Sequence, residues 1–396
     1  MYNSMSRNLF ITIVILAAVI AFLIVGFVWL RYGMPGGTFD RLQIFGGKKS
    51  GDGFFEGGVS FPQSRDQATP LPRLQTPRLI QLTREAVVGP ATVRGEEKIK
   101  YFKRATGHLY QIDGEGRTPE ERLSNLTIAG ARDAVWSPNK NHAVVNFLTD
   151  SALKHFALSY LGTSSQGIFL PNEIIDAAFS QKDERMAYLL PTGTARTLFV
   201  ASSDGSGQKN IFTTPLSQLN LSWAGDDISI AAKSSGLTPS FVQRVAINGS
   251  SRVIARDIDG LDVRWNAQGT LAVISRTSLR GKNLTIHIMN DKGKIIADLP
   301  FATIASKCAW SRLEEETAYC AVPRALPQAT YPDAWWQGVV SFSDDLWRVN
   351  AATGEADQIF SGRDFDIINL FLSEAEDRLF FLDKKDSTLW TLRLEE

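Results

Sequence analysis

The chain has 396 residues, in which 42 lysines and arginines balance 42 aspartates and glutamates, so the formal net charge at pH 7 is zero. Apolar residues make up 44% of the chain and aromatic residues 10%, which is typical of a globular protein and excludes one that binds nucleic acid through a basic surface. The four histidines are far apart and neither cysteine has a metal-binding spacing, so we expect neither a metal site nor a cofactor.

The first predicted element is a transmembrane helix at residues 9–30, which follows a short tail at residues 1–8. The segment LFITIVILAAVIAFLIVGFVWL contains no charged residue, and a helix of this length rises about 33 Å, enough to cross a bilayer core. The apolar run is too long for a signal peptide, and Arg31 follows it directly without a cleavage site. We therefore expect an uncleaved, single-pass anchor.

Residues 31–77 form the second predicted region, a flexible tether. Its sequence is rich in glycine and proline, as in YGMPGG, FGGKKSGDG and ATPLPRLQTPR. These residues disfavour both helix and strand and leave a solvated spacer.

From residue 78 onward, short strand-like runs alternate with turns, and one pattern recurs. An apolar strand ends in an aromatic residue, and a polar turn leads to a second apolar strand. The copies read DAVWSPNKNHAVVNF, DAAFSQKDERMAYLL, LNLSWAGDDISIAA, DVRWNAQGTLAVIS, KCAWSRLEEETAYCAV and NLFLSEAEDRLFFLD. Successive copies are 43, 44, 42, 45 and 62 residues apart when they are aligned on Trp136, Phe179, Trp223, Trp265, Trp310 and Leu372.

This period, with four short strands in each copy, predicts a β-propeller. A divergent first copy at residues 87–123 brings the count to seven four-stranded antiparallel blades. The last copy ends after its third strand, and we expect a strand at residues 78–83 to complete it, so that no sheet edge stays open. The fold class is therefore all-β, a seven-bladed propeller at residues 78–396 preceded by one transmembrane α-helix.

The units DAVWSPNKNHAVV, DVRWNAQGTLAVIS and CAWSRLEEETAYCAV resemble the WSPDGK-type repeat of TolB-like propellers and, more loosely, the WD-repeat group. Proteins with this repeat and an amino-terminal anchor look like bacterial envelope proteins whose propeller faces the outside of the cytoplasmic membrane. The resemblance implies an architecture and leaves the activity open, because propellers include enzymes, receptors and scaffolds.

Cys308 and Cys320 lie on the first and second strands of one blade, approximately opposite each other across a hairpin. Cross-strand neighbours are close enough for a disulfide after modest adjustment. A bridge would place the propeller in an oxidising, extracytoplasmic compartment, whereas two free buried thiols would remain compatible with the cytoplasm. The basic residues around the anchor lean toward the cytoplasm under the positive-inside rule, which leaves an intracellular sensor as an alternative.

The long 62-residue step contains an insertion at residues 323–344, between the second and third strands of the sixth blade. It carries the candidate binding patch Tyr331, Asp333, Trp335, Trp336 and Phe342. Tyrosine and tryptophan are enriched at binding hot spots. The alternative is that these side chains pack over the end of the channel, or against their own blade, as a plug.

Two segments come near to linear catalytic motifs, but neither matches one. GTSSQG has the wrong spacing for a nucleophile elbow, and GGKKSGDG lacks the upstream glycine of a phosphate loop. We therefore expect no catalytic residues and no enzyme, but a membrane-anchored, extracytoplasmic scaffold that binds a protein partner in the cell envelope. The alternative is an envelope carbohydrate-binding protein or enzyme that uses the mouth of the propeller channel.

Overall fold

The structure is a computed structural model that describes residues 78–394, except residues 151, 163 and 171–173. In this part of the chain, no helix combines the length and the apolar character needed to cross a bilayer. The predicted membrane helix at residues 9–30 and the predicted tether at residues 31–77 lie outside the described residues.

The described residues form 28 strands, which assemble into seven four-stranded antiparallel sheets. The first strand of the chain is β1 (Leu79–Gln81). Blade 1 contains β2 (Val87–Thr92), β3 (Lys98–Lys103), β4 (Leu109–Asp113) and β5 (Glu121–Arg122). Blade 2 contains β6 (Ala131–Trp136), β7 (His142–Leu148), β8 (Leu153–Tyr160) and β9 (Ser165–Phe169). Blade 3 contains β10 (Asp176–Phe179), β11 (Arg185–Thr192), β12 (Ala195–Ser202) and β13 (Lys209–Thr214).

The remaining blades follow the same plan. Blade 4 contains β14 (Leu219–Ala224), β15 (Asp227–Ala232), β16 (Pro239–Val245) and β17 (Ser251–Asp259). Blade 5 contains β18 (Asp262–Trp265), β19 (Leu271–Ser278), β20 (Asn283–Asn290) and β21 (Ile295–Asp298). Blade 6 contains β22 (Cys308–Trp310), β23 (Thr317–Pro323), β24 (Asp344–Asn350) and β25 (Ala356–Phe360). Blade 7 contains β26 (Ile367–Leu372), β27 (Arg378–Asp383) and β28 (Leu389–Arg393), together with β1.

Each blade is an antiparallel meander whose first strand lines a central channel. We call the end with the turns between first and second strands the turn face. The opposite end carries the loops between second and third strands and the connections between blades, and we call it the insertion face. The predicted seven-bladed, four-stranded propeller is confirmed. A 3₁₀-helix (Ala305–Lys307) lies between β21 and β22, and a short helix, α1 (Asp333–Trp336), lies between β23 and β24.

Blade 7 contains strands from both ends of the described chain. Strand β1 pairs antiparallel with β28, with Leu79 opposite Leu392 and Gln81 opposite Trp390. The outer strand of this blade therefore comes from the beginning of the propeller and the other three come from its end. This pairing closes the ring by backbone hydrogen bonds and leaves no free edge at the seam.

The tryptophans that mark the repeat join each blade to the one before it. The indole N–H of Trp136 donates to the carbonyl of Gly89 in blade 1 at 2.7 Å, and that of Trp310 donates to the carbonyl of Arg264 in blade 5 at 2.8 Å. Gly89 has a φ of 56°, and a Cβ atom there would lie 2.4 Å from the Cβ of Ala134. Glycine is thus required where the inner strands of blades 1 and 2 approach each other.

Cys308 and Cys320 face each other in the register of β22 and β23, and the structure joins them in a disulfide with an S–S distance of 2.09 Å. Both belong to the apolar cluster between blades 5 and 6, which also contains Val273, Ile288 and Trp310. The bridge therefore lies in the packed interface between two blades.

Candidate functional site

The central channel encloses a cavity of about 540 Å³ that is lined by the inner strands of all seven blades. Its lining extends from the first residues of these strands, at the insertion face, to the hairpin turns of the turn face. This volume lies within the range of roughly 300–1,000 Å³ that is usual for ligand pockets.

Four successive blades place a polar residue three positions before the aromatic marker of the repeat. These residues line the channel near the insertion face, and we call them the polar collar: Asp133, Asp176, Asn220 and Asp262. The equivalent residue of blade 6 is Lys307, which is fully buried and pairs with carboxylates outside the collar.

The three carboxylates of the collar differ in their hydrogen bonds, although each accepts one from the backbone N–H that follows it. Asp176 also accepts from the N–H of Leu221 in blade 4, at 2.7 Å. Asp262 likewise accepts from the N–H of Ser306, just before blade 6, at 2.8 Å. For Asp133, the hydrogen bond from Ala134 is the only one found within the described part of the chain. Asp176 and Asp262 therefore connect blades, while Asp133 keeps an oxygen free to meet a ligand.

Arg264, on the inner strand of blade 5, is the cation whose charge acts on this free carboxylate. Its side chain and that of Asp133 are both exposed to the cavity. The position of Asp133 inside the ring limits its hydration and raises its pKa to about 6, and the positive charge of Arg264 opposes this rise. The same desolvation lowers the pKa of Arg264, although the negative charges of Asp262 and Asp133 act to raise it. The two side chains are thus electrostatically coupled across the channel.

Asp176 belongs to the same electrostatic group. Burial raises its pKa to about 6, and the negative charge of Asp133 in the adjacent blade adds to the effect. A carboxyl group with a pKa near 6 can exchange a proton close to neutral pH, as a general acid or base requires. A guanidinium group beside it can bind hydroxyl or carbonyl oxygens and stabilise negative charge.

The insertion packs most of its aromatic side chains inward. Tyr331, Trp335 and Phe342 are 1%, 1% and 2% exposed and form one cluster with Leu284 and Ile304 of the preceding blade and its connection. The ring of Trp335 stacks on that of Phe342 at a centroid distance of 5.8 Å. Of the predicted patch, Trp336 is the aromatic residue left on the surface, with 52% of its area exposed.

Hydrogen bonds fix the insertion to loops of three other blades. The carboxylate of Asp333 accepts from the N–H of Gly236 in blade 4 at 2.8 Å, and the N–H of Tyr331 donates to the carbonyl of Gly281 in blade 5 at 2.7 Å. The indole N–H of Trp335 donates to Asp366, just before blade 7, at 2.9 Å. The insertion therefore covers part of the insertion face, and none of its described residues lines the channel cavity.

A buried ion group lies beneath the insertion. The ammonium of Lys307 is 2.7 Å from Asp344 and 3.0 Å from Asp366, with all three side chains fully buried, and 4.7 Å from the ring centre of Trp335. Burial raises the pKa of Asp344 to about 6, although Lys307 opposes the rise. Burial also acts to raise the pKa of Asp366. The charge of Lys307 and the hydrogen bond from Trp335 outweigh this effect, so the pKa of Asp366 is lowered. Lys307 and Asp366 find their partners within this group, whereas Asp344 Oδ1 is buried without a hydrogen-bond partner among the described residues. The contacts of Trp335 with Lys307 and Asp366 give the inward aromatics a structural role.

The sequence analysis missed Asp133 and Arg264. The signal was present, because the copies DAVW, DAAF and DVRW each begin with aspartate at the same repeat position. The aromatic residue of each copy indicates the architecture, whereas the role of each aspartate depends on its hydrogen-bond partner. That partner depends on the neighbouring blade, which the alignment of repeats does not display.

Comparison with known proteins rests on structure, because no protein-family model and no curated protein matches this chain in sequence. The class that the fold defines is the seven-bladed β-propeller.

Several solved propellers are similar to the chain. An oligogalacturonate lyase in complex with manganese has a TM-score of 0.56 at 9% identity, over 80% of this chain and 93% of that one. The acylaminoacyl peptidase of Pyrococcus horikoshii has a TM-score of 0.53 at 12% identity, over 80% of this chain and 53% of that one, so about half of that enzyme has no counterpart here. The propeller domain of Cps50 (Swd1) from Myceliophteria thermophila has a TM-score of 0.52 at 9% identity, over 80% of this chain and 100% of that one. TolB from Acinetobacter baumannii is also similar, with a TM-score of 0.41.

These comparisons correct two expectations. The chain was expected to be a non-catalytic protein-binding scaffold and not an enzyme, on the ground that no linear catalytic motif was found. Solved propellers with the same fold include a lyase and a peptidase, so this ground fails and both expectations are wrong. Because the identities are only 9% and 12%, the similarity itself establishes the fold, and the chemistry has to be argued from the channel.

Proposed function

We propose that the chain is a carbohydrate-binding enzyme whose site is the mouth of the central channel at the insertion face. In this proposal Asp133 acts as the general acid or base on a glycosidic bond. As the acid, Asp133 gives its proton to the leaving oxygen while water adds to the anomeric carbon and the glycosidic bond breaks, and Arg264 donates hydrogen bonds to the sugar hydroxyls.

The observation that carries the proposal is the contrast within the polar collar. Asp176 and Asp262 occupy both carboxylate oxygens with backbone N–H groups, whereas Asp133 has an oxygen left over and faces the cavity together with Arg264. A charged side chain that contributes no link between blades, in a ligand-sized cavity, is a functional candidate.

The charge of the collar favours an uncharged or amino-bearing sugar over an acidic one. The collar has three carboxylates, and Arg264 is one guanidinium against them, so an acidic sugar would be repelled at neutral pH. Sugar hydroxyls can donate to the free oxygen of Asp133 and accept from Arg264. One of the similar solved propellers, the oligogalacturonate lyase, is named for an oligosaccharide of acidic sugars. It supports a carbohydrate ligand as a class, whereas the charge of this collar favours a different sugar.

The cellular location remains part of the proposal. The predicted helix at residues 9–30 would anchor the protein in a bacterial cell membrane as a single-pass protein, and the predicted tether would hold the propeller away from it. The disulfide between Cys308 and Cys320 supports an oxidising, extracytoplasmic compartment, because reducing compartments keep such thiols free.

The test uses the full-length chain, purified in detergent and applied to a glycan array, with each bound glycan then incubated and searched for cleavage products by mass spectrometry. We expect Asp133→Asn to lower the cleavage rate by about 10²–10⁴, the usual contribution of a general acid or base. Arg264→Gln should weaken both binding and cleavage.

The matched control is Asp357→Asn, because Asp357 is an exposed aspartate on the outer strand β25, away from the channel. It should bind and cleave like the wild type. The proposal is wrong if the wild type binds no glycan, or if Asp133→Asn cleaves as fast as this control.

A further inference from the structure

Lys140 lies at the other end of the channel, in the turn that joins β6 to β7. Its side chain is 8% exposed and lines the cavity at the turn face together with Arg312. Within the described residues, no hydrogen bond or ion pair is found for its ammonium group. A buried lysine is normally paired, because an unpaired buried charge costs free energy.

The backbone of Lys140 adds a second observation. Its φ is 58°, in the left-handed region, and the same turn position is Gly269 in blade 5 (φ 71°) and Glu376 in blade 7 (φ 57°). Glycine adopts this conformation without strain, whereas a longer side chain does not. Two blades therefore accept strain at a position where a third blade uses glycine.

The two strained residues differ in what their side chains contribute to the fold. The carboxylate of Glu376 accepts from the N–H of Arg312 at 2.6 Å and from the hydroxyl of Ser311, and so joins blade 7 to blade 6. The ammonium of Lys140 makes no comparable link. Its backbone is used instead: the N–H donates to the carbonyl of Ser137 at 3.0 Å, and the carbonyl accepts from the ammonium of Lys100 at 3.1 Å. Any residue would supply both groups. A residue in a strained backbone conformation whose side chain adds no contact to the fold is a candidate for a functional role.

The neighbouring carboxylates do not neutralise Lys140. Glu184 accepts from the N–H of Asn139 and the hydroxyl of Ser203, both at 3.0 Å. Glu374 pairs with Arg312 at 3.5 Å. Burial lowers the pKa of Lys140 to about 8, and the charges of Arg312 and Lys100 lower it further, while the charges of Glu374 and Glu184 oppose the shift without forming an ion pair. An anion bound beside the ammonium would reverse this destabilisation of the charged form.

We infer that Lys140 and Arg312 form an oxyanion-binding site at the turn face of the channel, for a sulfate, phosphate or carboxylate group. The ammonium is a compact point charge with free donors, and the guanidinium adds a second cation at the same mouth. This site goes beyond the proposed function, because it lies at the opposite end from the polar collar and does not require a carbohydrate.

Sulfate is the probe, because it does not titrate near the pKa of Lys140. Calorimetric titration of the full-length protein at pH 8, in two buffers with different ionisation enthalpies, should give saturable binding with an uptake of about half a proton per sulfate. Lys140→Met keeps the buried stem and removes the charge. It should weaken sulfate binding about tenfold or more, as expected for losing a charge-assisted hydrogen bond, and should abolish proton uptake.

The matched control is Lys182→Met, since Lys182 lies in the equivalent turn of blade 3 but is exposed and pairs with Asp226 at 3.1 Å. It should behave like the wild type. Thermal melting checks that both variants are folded, and Lys140→Gln is the second variant if Lys140→Met is not. Repeating the titration with phosphate and with acetate identifies the preferred oxyanion.

The inference is overturned if the wild type shows no saturable sulfate binding or if removal of the Lys140 ammonium leaves binding and proton uptake unchanged. Its failure is distinguishable from failure of the proposed function. Asp133→Asn should leave sulfate binding intact, and Lys140→Met should leave the hydrogen bonds of the polar collar intact, so each variant reports on one end of the channel.

Discussion

The polar collar and the aromatic insertion lie at the same face of the propeller, and they use their side chains in opposite ways. The insertion is conspicuous in sequence, yet Tyr331, Trp335 and Phe342 are almost fully buried. The collar is inconspicuous, a few aspartates at the start of short strands, yet Asp133 is open to the cavity with an oxygen to spare. Aromatic residues in a long loop therefore indicate packing at least as often as binding.

The same comparison applies within each region. Trp335 and Trp336 are adjacent, but one is buried and the other is half exposed. Asp133 and Asp176 occupy equivalent positions in adjacent blades, but only the second reaches the next blade. Residue type is the same in each pair, so the partner in space determines the role. The predictions that follow test these pairs.

The largest effect is expected for Trp335→Ala, which should lower the free energy of unfolding by about 3–5 kcal/mol, the usual cost of truncating a large buried aromatic side chain. The change also removes the hydrogen bond to Asp366, 2.9 Å from the indole nitrogen. Trp336→Ala should cost about 1 kcal/mol or less, because its side chain is half exposed. Denaturant unfolding of the full-length chain, followed by circular dichroism, measures both. Equal costs for the two variants would contradict the inward packing of the insertion.

A smaller difference is expected between Asp176→Ala and Asp133→Ala. Each variant loses one local hydrogen bond, but the first also leaves the N–H of Leu221 without its partner at 2.7 Å. We expect Asp176→Ala to be the less stable by about 1.5 kcal/mol, the contribution of one charge-assisted hydrogen bond. The same unfolding experiment compares the two. If Asp133→Ala is as destabilising as Asp176→Ala, then Asp133 has a structural role, and the proposed site loses its main support.

The sequence predicted the architecture well, because the propeller repeats it several times. The steps between Trp136, Phe179, Trp223 and Trp265 determine the size of a blade, and the strand pattern of each copy predicts its meander. The same hairpin pattern placed Cys308 opposite Cys320, but left open whether the two form a disulfide or remain free thiols. These features depend on the local sequence and on the spacing of the repeats, and both can be read from a single sequence.

The candidate site could not be predicted in the same way. Asp133 and Arg264 belong to blades 2 and 5, more than a hundred residues apart, and closure of the ring brings them to one cavity. The absence of a linear catalytic motif therefore had no bearing on whether the channel is a site. Likewise, the unpaired state of Lys140 becomes visible only when the partners of Glu184 and Glu376 are known. In a propeller, the residues of a channel site come from several blades. They therefore do not form a motif within one continuous segment of the sequence.

The last prediction concerns a pH dependence at Asp133. Its pKa in the folded state is raised to about 6 from an ordinary value of 3.8. Between these values the folded protein keeps a proton that the unfolded chain has lost, so this group favours folding below about pH 4 and loses that contribution as the pH rises to about 6. Asp133→Asn removes the titration. Relative to the wild type, the variant should therefore gain stability from pH 4 to pH 6 and change little above pH 6.

Unfolding of both proteins at several pH values tests this, with Asp357→Asn as the exposed control that should show no such trend. The direction of the trend is informative, because a carboxylate that stabilised the fold through an ion pair would give the opposite slope. A gain for Asp133→Asn would mean that the ionised side chain at pH 7 is kept at a cost to stability, as is common for groups that serve a ligand rather than the fold. The opposite slope would mean that Asp133, unlike Asp176 with its equally raised pKa, stabilises the fold in its ionised form, and the assignment of Asp133 to a ligand would lose its support.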